Sequence, residues 1–243
     1  IAQIYIYNGD LQDSSKYILQ SEKYFDPDDL RYDKALHYFA KSKYFLEKYE
    51  YENAIRYAEL AIMADKKMLD VTNATIFPSY LLLAEIYYRD HQIENLRSLI
   101  KERISYLVDY DKDTENEVKA KAMIFSSVVS PDLNKAQEQI EQAIRLIDAN
   151  ENNPDVATAY TVLASNLYDQ HRYAEAILKY KMAMKIWRSI NTRYCTDDIS
   201  IILYGLAKAY HKQNDLQQVK EVYEEHRDLF GVNHPRNHKF LAL

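Results

Sequence analysis

His234 and His238 stand in an H-x3-H spacing, which would put two imidazoles on one helix face. A metal site needs more than that, either a third ligand or the acid of an HExxH motif, and neither accompanies the pair. A solvated tail is the expectation. Cys195 lies in RYCTDD with Arg193 close by. A reactive thiol needs a depressed pKa and a partner; the sequence offers neither, so the thiol is expected to be inert. A single Cys also excludes an intramolecular disulfide, a CxxC redox site and a thiolate zinc cluster. The acidic stretches Asp26 to Asp29 and Asp109 to Glu117 read as solvated links, since DYDKDTENEV lacks the central Gly of a calcium loop. No Gly-rich phosphate loop and no GxSxG is present. The expectation is a protein that is not an enzyme and uses no cofactor or metal.

The remaining chemistry is non-covalent recognition. Phe39, Tyr88, Phe125, Tyr168 and Tyr204 are aromatic surfaces for apolar side chains. Thr161, Ser165 and Asn166 can pair with a ligand backbone. Lys43, Lys121 and Lys208 can meet carboxylates, with Glu85 and His211 beside them. Leu46 and Leu81 fall on the same stripe. Such a mix suits an extended peptide better than a small metabolite. Taken singly, each reads as an ordinary half-exposed scaffold residue; the stripe as a whole points to a peptide or protein ligand.

Helices must carry this stripe. Only 3 Gly and 5 Pro punctuate 243 residues, of which 47% are hydrophobic. Long helices with short connections are favoured over hairpin-rich sheets, and turns with positive φ should be few. The reference stretch is Asp155 to Ile186, two amphipathic helices with a turn near Gln170 to Arg172. Small residues sit where the helices must cross (Ala164, Ala176, Ala183), and Tyr160, Leu163, Leu167, Tyr173 and Tyr180 fill the gaps. The counterparts of Ala176 are Ser14, Ala54, Leu96, Ala136 and Val219, at spacings of 40, 42, 40, 40 and 43 residues. With Leu96 in place of Ala, the third pair of helices should stand further apart or cross at another angle.

The period divides the chain into units of about 1–27, 28–70, 71–111, 112–150, 151–192 and 193–231, with 232–243 as a cap or the start of a further helix. Asn8-Gly9-Asp10 makes the first turn. Pro78 sits early in a first helix, Ser130 and Pro131 read as N-cap and first helical residue, and Asn153-Pro154 opens the fifth unit. Gly231 reads as a helix C-cap. The first helix of each unit should line the inner, concave wall and carry the stripe.

The hairpin YTVLASNLYDQHRYAEAILKYKMAMKI resembles a tetratricopeptide repeat, and about six copies cover nearly the whole chain. That resemblance implies a single all-α, right-handed superhelical solenoid with a period near 40. The long period, 23 Tyr and the ENAIRYAELAI and YAEAILKYKMAM helices are similar to bacterial peptide-pheromone receptors of the Rap, PlcR and NprR type. In that family a short imported peptide binds the concave face and alters an N-terminal output domain. The resemblance implies a cytoplasmic, peptide-sensing part of a transcription regulator used in quorum sensing, with Asn166 matching the family's peptide-anchoring Asn. NNPDVATAYTVLASNLY is also similar to kinesin light chains, which implies the alternative of a scaffold for protein assembly or self-association.

The formal net charge of −6, with basic residues dispersed, argues against direct nucleic-acid binding by this segment. No apolar run of about 18 residues is present, so no membrane span is expected. The chain starts at Ile1, as expected of a segment from a longer protein. The expected partner is a peptide or protein, with a homodimer possible.

Overall fold

The computed structural model describes residues 11–23, 32–68, 76–105, 115–147, 153–190, 196–231 and 237–243. The turn expected at Asn8 to Asp10, the link Asp26 to Asp29, residues 109–114, Cys195 and His234 fall outside them.

Every regular element among the described residues is helical: α1 (Leu11–Glu22), α2 (Tyr32–Glu47), α3 (Tyr51–Met68), α4 (Phe77–Arg89), α5 (Ile93–Leu99), α6 (Asn116–Val128), α7 (Leu133–Leu146), α8 (Pro154–Asp169), α9 (Tyr173–Ile190), α10 (Thr196–Lys212), α11 (Leu216–Phe230) and α12 (Asn237–Leu241). The architecture is an all-α helical-repeat solenoid. Its helical hairpins are α2/α3, α4/α5, α8/α9 and α10/α11.

These four hairpins close by the same turn. Tyr49, His91, His171 and Asn214 each have a left-handed backbone, with φ between 58° and 64°. In each, that residue's N–H donates to the carbonyl three residues back, and the next N–H to the carbonyl five residues back, as in His171 to Tyr168 (2.9 Å) and Arg172 to Leu167 (2.9 Å). This pair of bonds is a Schellman closure, which satisfies the last carbonyls of the first helix. The left-handed residues are 42, 80 and 43 positions apart, so the turns keep the period of the sequence. Few glycines did not mean few left-handed turns. His, Tyr and Asn adopt the conformation instead, at a cost that packing of both helices offsets.

The second helix then starts from the turn. Ala54, Leu96, Ala176 and Val219 donate their N–H to the residue that ends the closure, at 2.9–3.2 Å. Ala54 and Ala176 are wholly buried, as the close crossings within α2/α3 and α8/α9 require, and Ala136 is wholly buried on α7. Leu96 is wholly buried too, and α5 departs from regular geometry a turn later, becoming a π-helix over Ile100–Ile104. The wide turn keeps Ile100 and Ile104 in the core.

The chain divides into two compact units, Ile1–Val129 and Ser130–Leu243, with the boundary inside the expected fourth unit. In the first, α4 is the central helix: Phe77, Tyr80 to Ala84 and Ile86 are all buried, against Leu46, Ala58, Leu96 and Phe125 from its neighbours. In the second, α8 has the same role, buried from Val156 to Leu167 on most of its circumference. α7 by contrast buries only Ala136, Ile140 and Ala143. Helices sandwiched between neighbours are apolar nearly all round, and helices at the outside bury one stripe.

Most caps fall where expected. Asn153 Oδ1 accepts from the Asp155 N–H (2.8 Å) with Pro154 in the first turn, Pro78 opens α4 and Gly231 (φ 74°) closes α11. The start of α7 is a correction. Asp132, not Ser130, is the N-cap, accepting from the N–H groups of Asn134 and Lys135 at 2.9 and 3.1 Å. Pro131 therefore precedes the helix. A carboxylate satisfies two N–H groups at once and complements the helix dipole, which favours Asp132 over Ser130. The Ser130 hydroxyl instead donates to the Asp132 carbonyl (3.0 Å). The described part of the tail forms α12, which rests on α10 and α11. Asn237 fastens it, donating to the Gly231 carbonyl at 2.8 Å and pairing with buried His226 at 3.0 Å.

Candidate functional site

In the first unit, α2, α4 and α6 contribute Phe39, Lys43, Glu85, Tyr88, Lys121 and Phe125. Lys43 Nζ lies 5.3 Å from the centre of the Phe39 ring. Glu85 is 28% exposed and accepts from Arg89 Nη2 at 2.8 Å, and Arg89 Nη1 lies 3.7 Å from Glu47. Burial opposes ionisation of Glu85. The positive charges of Arg89, Lys121 and Lys43 outweigh it and hold the carboxyl below its ordinary range. Three successive first helices thus supply one charge cluster in which Lys43, Arg89 and Lys121 act on Glu85, with Glu47 beside Arg89. Beside it, the Tyr88 and Phe125 rings meet at 6.1 Å between centroids. Phe125 is buried, so Tyr88 is the accessible half of that pair.

Leu46, Leu81 and Phe125 are corrections. All three are core residues, 2%, 4% and 4% exposed. The expected stripe ran one position too wide on each helix, because a helix sandwiched between two others has a narrow free face.

In the second unit, Lys208 of α10 lies over two rings, 4.7 Å from the centre of Tyr168 and 5.4 Å from that of Tyr204. Burial of its amine lowers the pKa; Asp169 opposes the shift and Lys239 adds to it. Burial also raises the Tyr168 phenol, with help from Tyr173, Asp169 and Tyr204. The Tyr168 ring leans on Tyr173 at 5.3 Å, and the edge of Tyr204 meets Phe240 of α12 at 5.4 Å. Ser165 and His211, three residues from Tyr168 and Lys208 on their helices, are half-buried.

Thr161 and Asn166 hold the wall in place. The buried Thr161 hydroxyl donates to the Ala157 carbonyl of its own helix (2.9 Å). Asn166 Nδ2 donates to the Leu133 carbonyl (3.2 Å), and its Oδ1 accepts from Gln170 Nε2 (2.7 Å). Gln170 also reaches Leu133 (3.3 Å), so the pair ties α8 to the first residue of α7. Arg172 adds a bond to Gln137 at 2.9 Å.

Sequence reasoning missed Arg89, Asp169, Tyr173 and Phe240. Arg89 had a signal, since it lies four residues after Glu85, where an ion pair forms along a helix. Asp169 and Tyr173 follow Tyr168 around a turn that reverses the chain. Phe240 sits in a tail whose folding the sequence left open. Among the described residues no group of three His, Cys, Asp or Glu is placed to hold a metal ion. No helix among them is long and apolar enough to cross a membrane.

No protein-family model matches the chain, and no curated protein matches its sequence. Solved structures do match its fold. The Rap conjugation gene regulator of the plasmid pLS20, in complex with the Phr* peptide, aligns at a TM-score of 0.63 and 14% identity, over 99% of this chain and 70% of that one. The apo form of RapI aligns at 0.62 and 12%, over 94% of each chain. BtubC (BKLC) from P. vanneervenii aligns at 0.57 and 14%, over 93% of this chain and 92% of that one. The chain therefore has a tetratricopeptide-repeat, Rap-like fold. At these identities the similarity is one of fold.

Proposed function

We propose that this chain is a non-enzymatic regulatory domain that binds an extended peptide along the first-helix stripe, on the concave face of the repeats. It serves as the sensor part of a cytoplasmic, quorum-sensing transcription regulator. The observation that carries this function is the cluster around Glu85: three cations and two carboxylates drawn from successive first helices, beside the Tyr88 ring. A partly desolvated cluster that holds three cations next to an aromatic surface favours a peptide carrying a carboxylate next to an apolar side chain. Lys208 on the rings of Tyr168 and Tyr204 offers the same combination in the second unit. Ser165 and His211 supply hydrogen bonds, while Thr161, Asn166 and Phe125 position the wall from behind. The fold likeness to a Rap regulator bound to a Phr* peptide supports a peptide as the ligand. The net charge of −6 argues against nucleic acid as a ligand of this segment.

The test is selection of short peptides from a display library on the 243-residue chain, followed by calorimetry with the Lys43→Ala/Lys121→Ala and Tyr168→Ala variants. Acidic peptides that bind the parent and lose affinity in these variants are expected. Peptides that bind all three proteins equally would place the ligand elsewhere.

Assembly with another protein is the second reading. Leu178 and Met182 of α9, 61% and 40% exposed, favour it, since large apolar side chains left in water on one helix face suit a protein contact.

A further inference from the structure

The second unit carries a groove of about 470 Å³ between α9 and α11, with α10 as its floor. The floor is apolar and buried: Leu203, Leu206 and Tyr210, joined by Met184 and Val222 from the walls. The walls differ in charge. α9 contributes Lys181, Lys185 and Arg188, one face of a helix at i, i+4 and i+7, while α11 contributes Gln218, Glu221 and Glu225. One wall is wholly basic and the other acidic or neutral.

The register of the walls is fixed. Arg188 forms an ion pair with Glu225 across the mouth of the groove. Lys181 and Gln218, each seven residues earlier, line the same groove, so α9 and α11 run in the same direction. Lys185 and Glu221 then stand at nearly the same height.

We infer that this groove is a self-association surface, and that its occupant is a second copy of this chain related by a two-fold axis running along the groove. The argument is charge complementarity under symmetry. An axis along the groove lays the basic wall of one copy on the acidic wall of the other and preserves height along the helices. Lys185 then meets Glu221 of the second copy and Lys181 meets Gln218, while Arg188 exchanges Glu225 of its own chain for that of the second copy. An axis across the groove would set lysines against lysines, so only one arrangement is favoured. Isologous contacts of this kind are made twice in one interface, which doubles the worth of each pair. Leu178 and Met182 are exposed on the same helix that supplies the basic wall and add apolar area at its edge. The surface lies on α9 and α11, not on the first-helix stripe, so dimer formation and peptide binding are separable.

The test is sedimentation velocity of the 243-residue chain over a concentration series, with the charge-reversed variants K185E/R188E and E221K/E225K. These side chains are on the surface, and a thermal melt confirms that each variant folds. The parent is expected to dimerise, less tightly at high salt. Each variant alone is expected to dissociate by roughly tenfold or more in Kd. Mixed in equal amounts, the two variants are expected to form a heterodimer. A parent that stays monomeric across the series would overturn the inference, as would variants that dimerise as well as the parent or a mixture that fails to associate. A monomeric parent would redirect the groove to a helix of another protein.

Discussion

The Tyr180 ring of α9 lies against the backbone of α10 at Gly205. A Cβ built on that glycine would stand 2.3 Å from Tyr180 Cζ and 2.6 Å from its Oη. The hairpin α8/α9 therefore meets the next first helix through a ring on a bare backbone, a contact that only glycine allows at this position. Gly205 is a helical residue, so its value here is space and not positive φ. We expect Gly205→Ala to cost about 1–3 kcal/mol by overpacking, read as a lower midpoint in thermal or urea unfolding. The penalty should shrink in a Tyr180→Leu background, where the ring is gone. An equal penalty in both backgrounds would mean that the two residues do not oppose each other.

Ala176→Leu tests the crossing within the hairpin. Ala176 is wholly buried at the start of α9, and the three heavy atoms that leucine adds have no space there. A loss of about 1–3 kcal/mol is expected. Unfolding unchanged within error would mean that the period is misplaced on α9.

His91→Gly tests the turns. His91 is exposed and has φ of 58°, a conformation that strains an L side chain and suits glycine. The substitution should stabilise the chain by about 0.5–1 kcal/mol, despite the greater freedom glycine has when unfolded. A lower midpoint would show that the imidazole contributes more than the backbone strain costs.

Parts of this structure were legible as residue types at a period. Ala54 and Ala176 mark helix crossings because only small side chains fit there. Asn153-Pro154 and Gly231 mark helix ends because their backbone chemistry is local. The place of the turn near Gln170 to Arg172 was legible, but its left-handed backbone was not, because Tyr49, His91 and His171 are residue types found far more often outside that conformation than in it. Gly205 was hidden for a different reason: its partner Tyr180 belongs to another helix, and the contact exists only after the hairpins stack. The stripe was legible as a list of residues. Its chemistry was not, since the charge on Glu85 depends on cations from three helices and the environment of Lys208 on rings from two. Leu46, Leu81 and Phe125 fell to the core because neighbouring helices narrow the free face.

Glu85 gives a pH dependence with a definite sign. Its folded pKa lies below its ordinary value, so the folded state holds fewer protons than the unfolded chain between the two values. Its contribution to stability is therefore complete above the ordinary carboxylate pKa and is lost as pH falls through the lower, folded one. Parent and Glu85→Gln proteins should differ in melting temperature at neutral pH and converge in acid. A difference that persists in acid would assign the effect to packing and not to charge.

Peptide binding along the first-helix stripe is the central claim, and calorimetry of a library-selected acidic peptide against the parent and Lys43→Ala/Lys121→Ala proteins tests it most directly. The account predicts saturable binding to the parent and at least about a tenfold weaker Kd in the variant, the equivalent of about 1.4 kcal/mol. Equal affinity for the two proteins, with the variant folded, would contradict it.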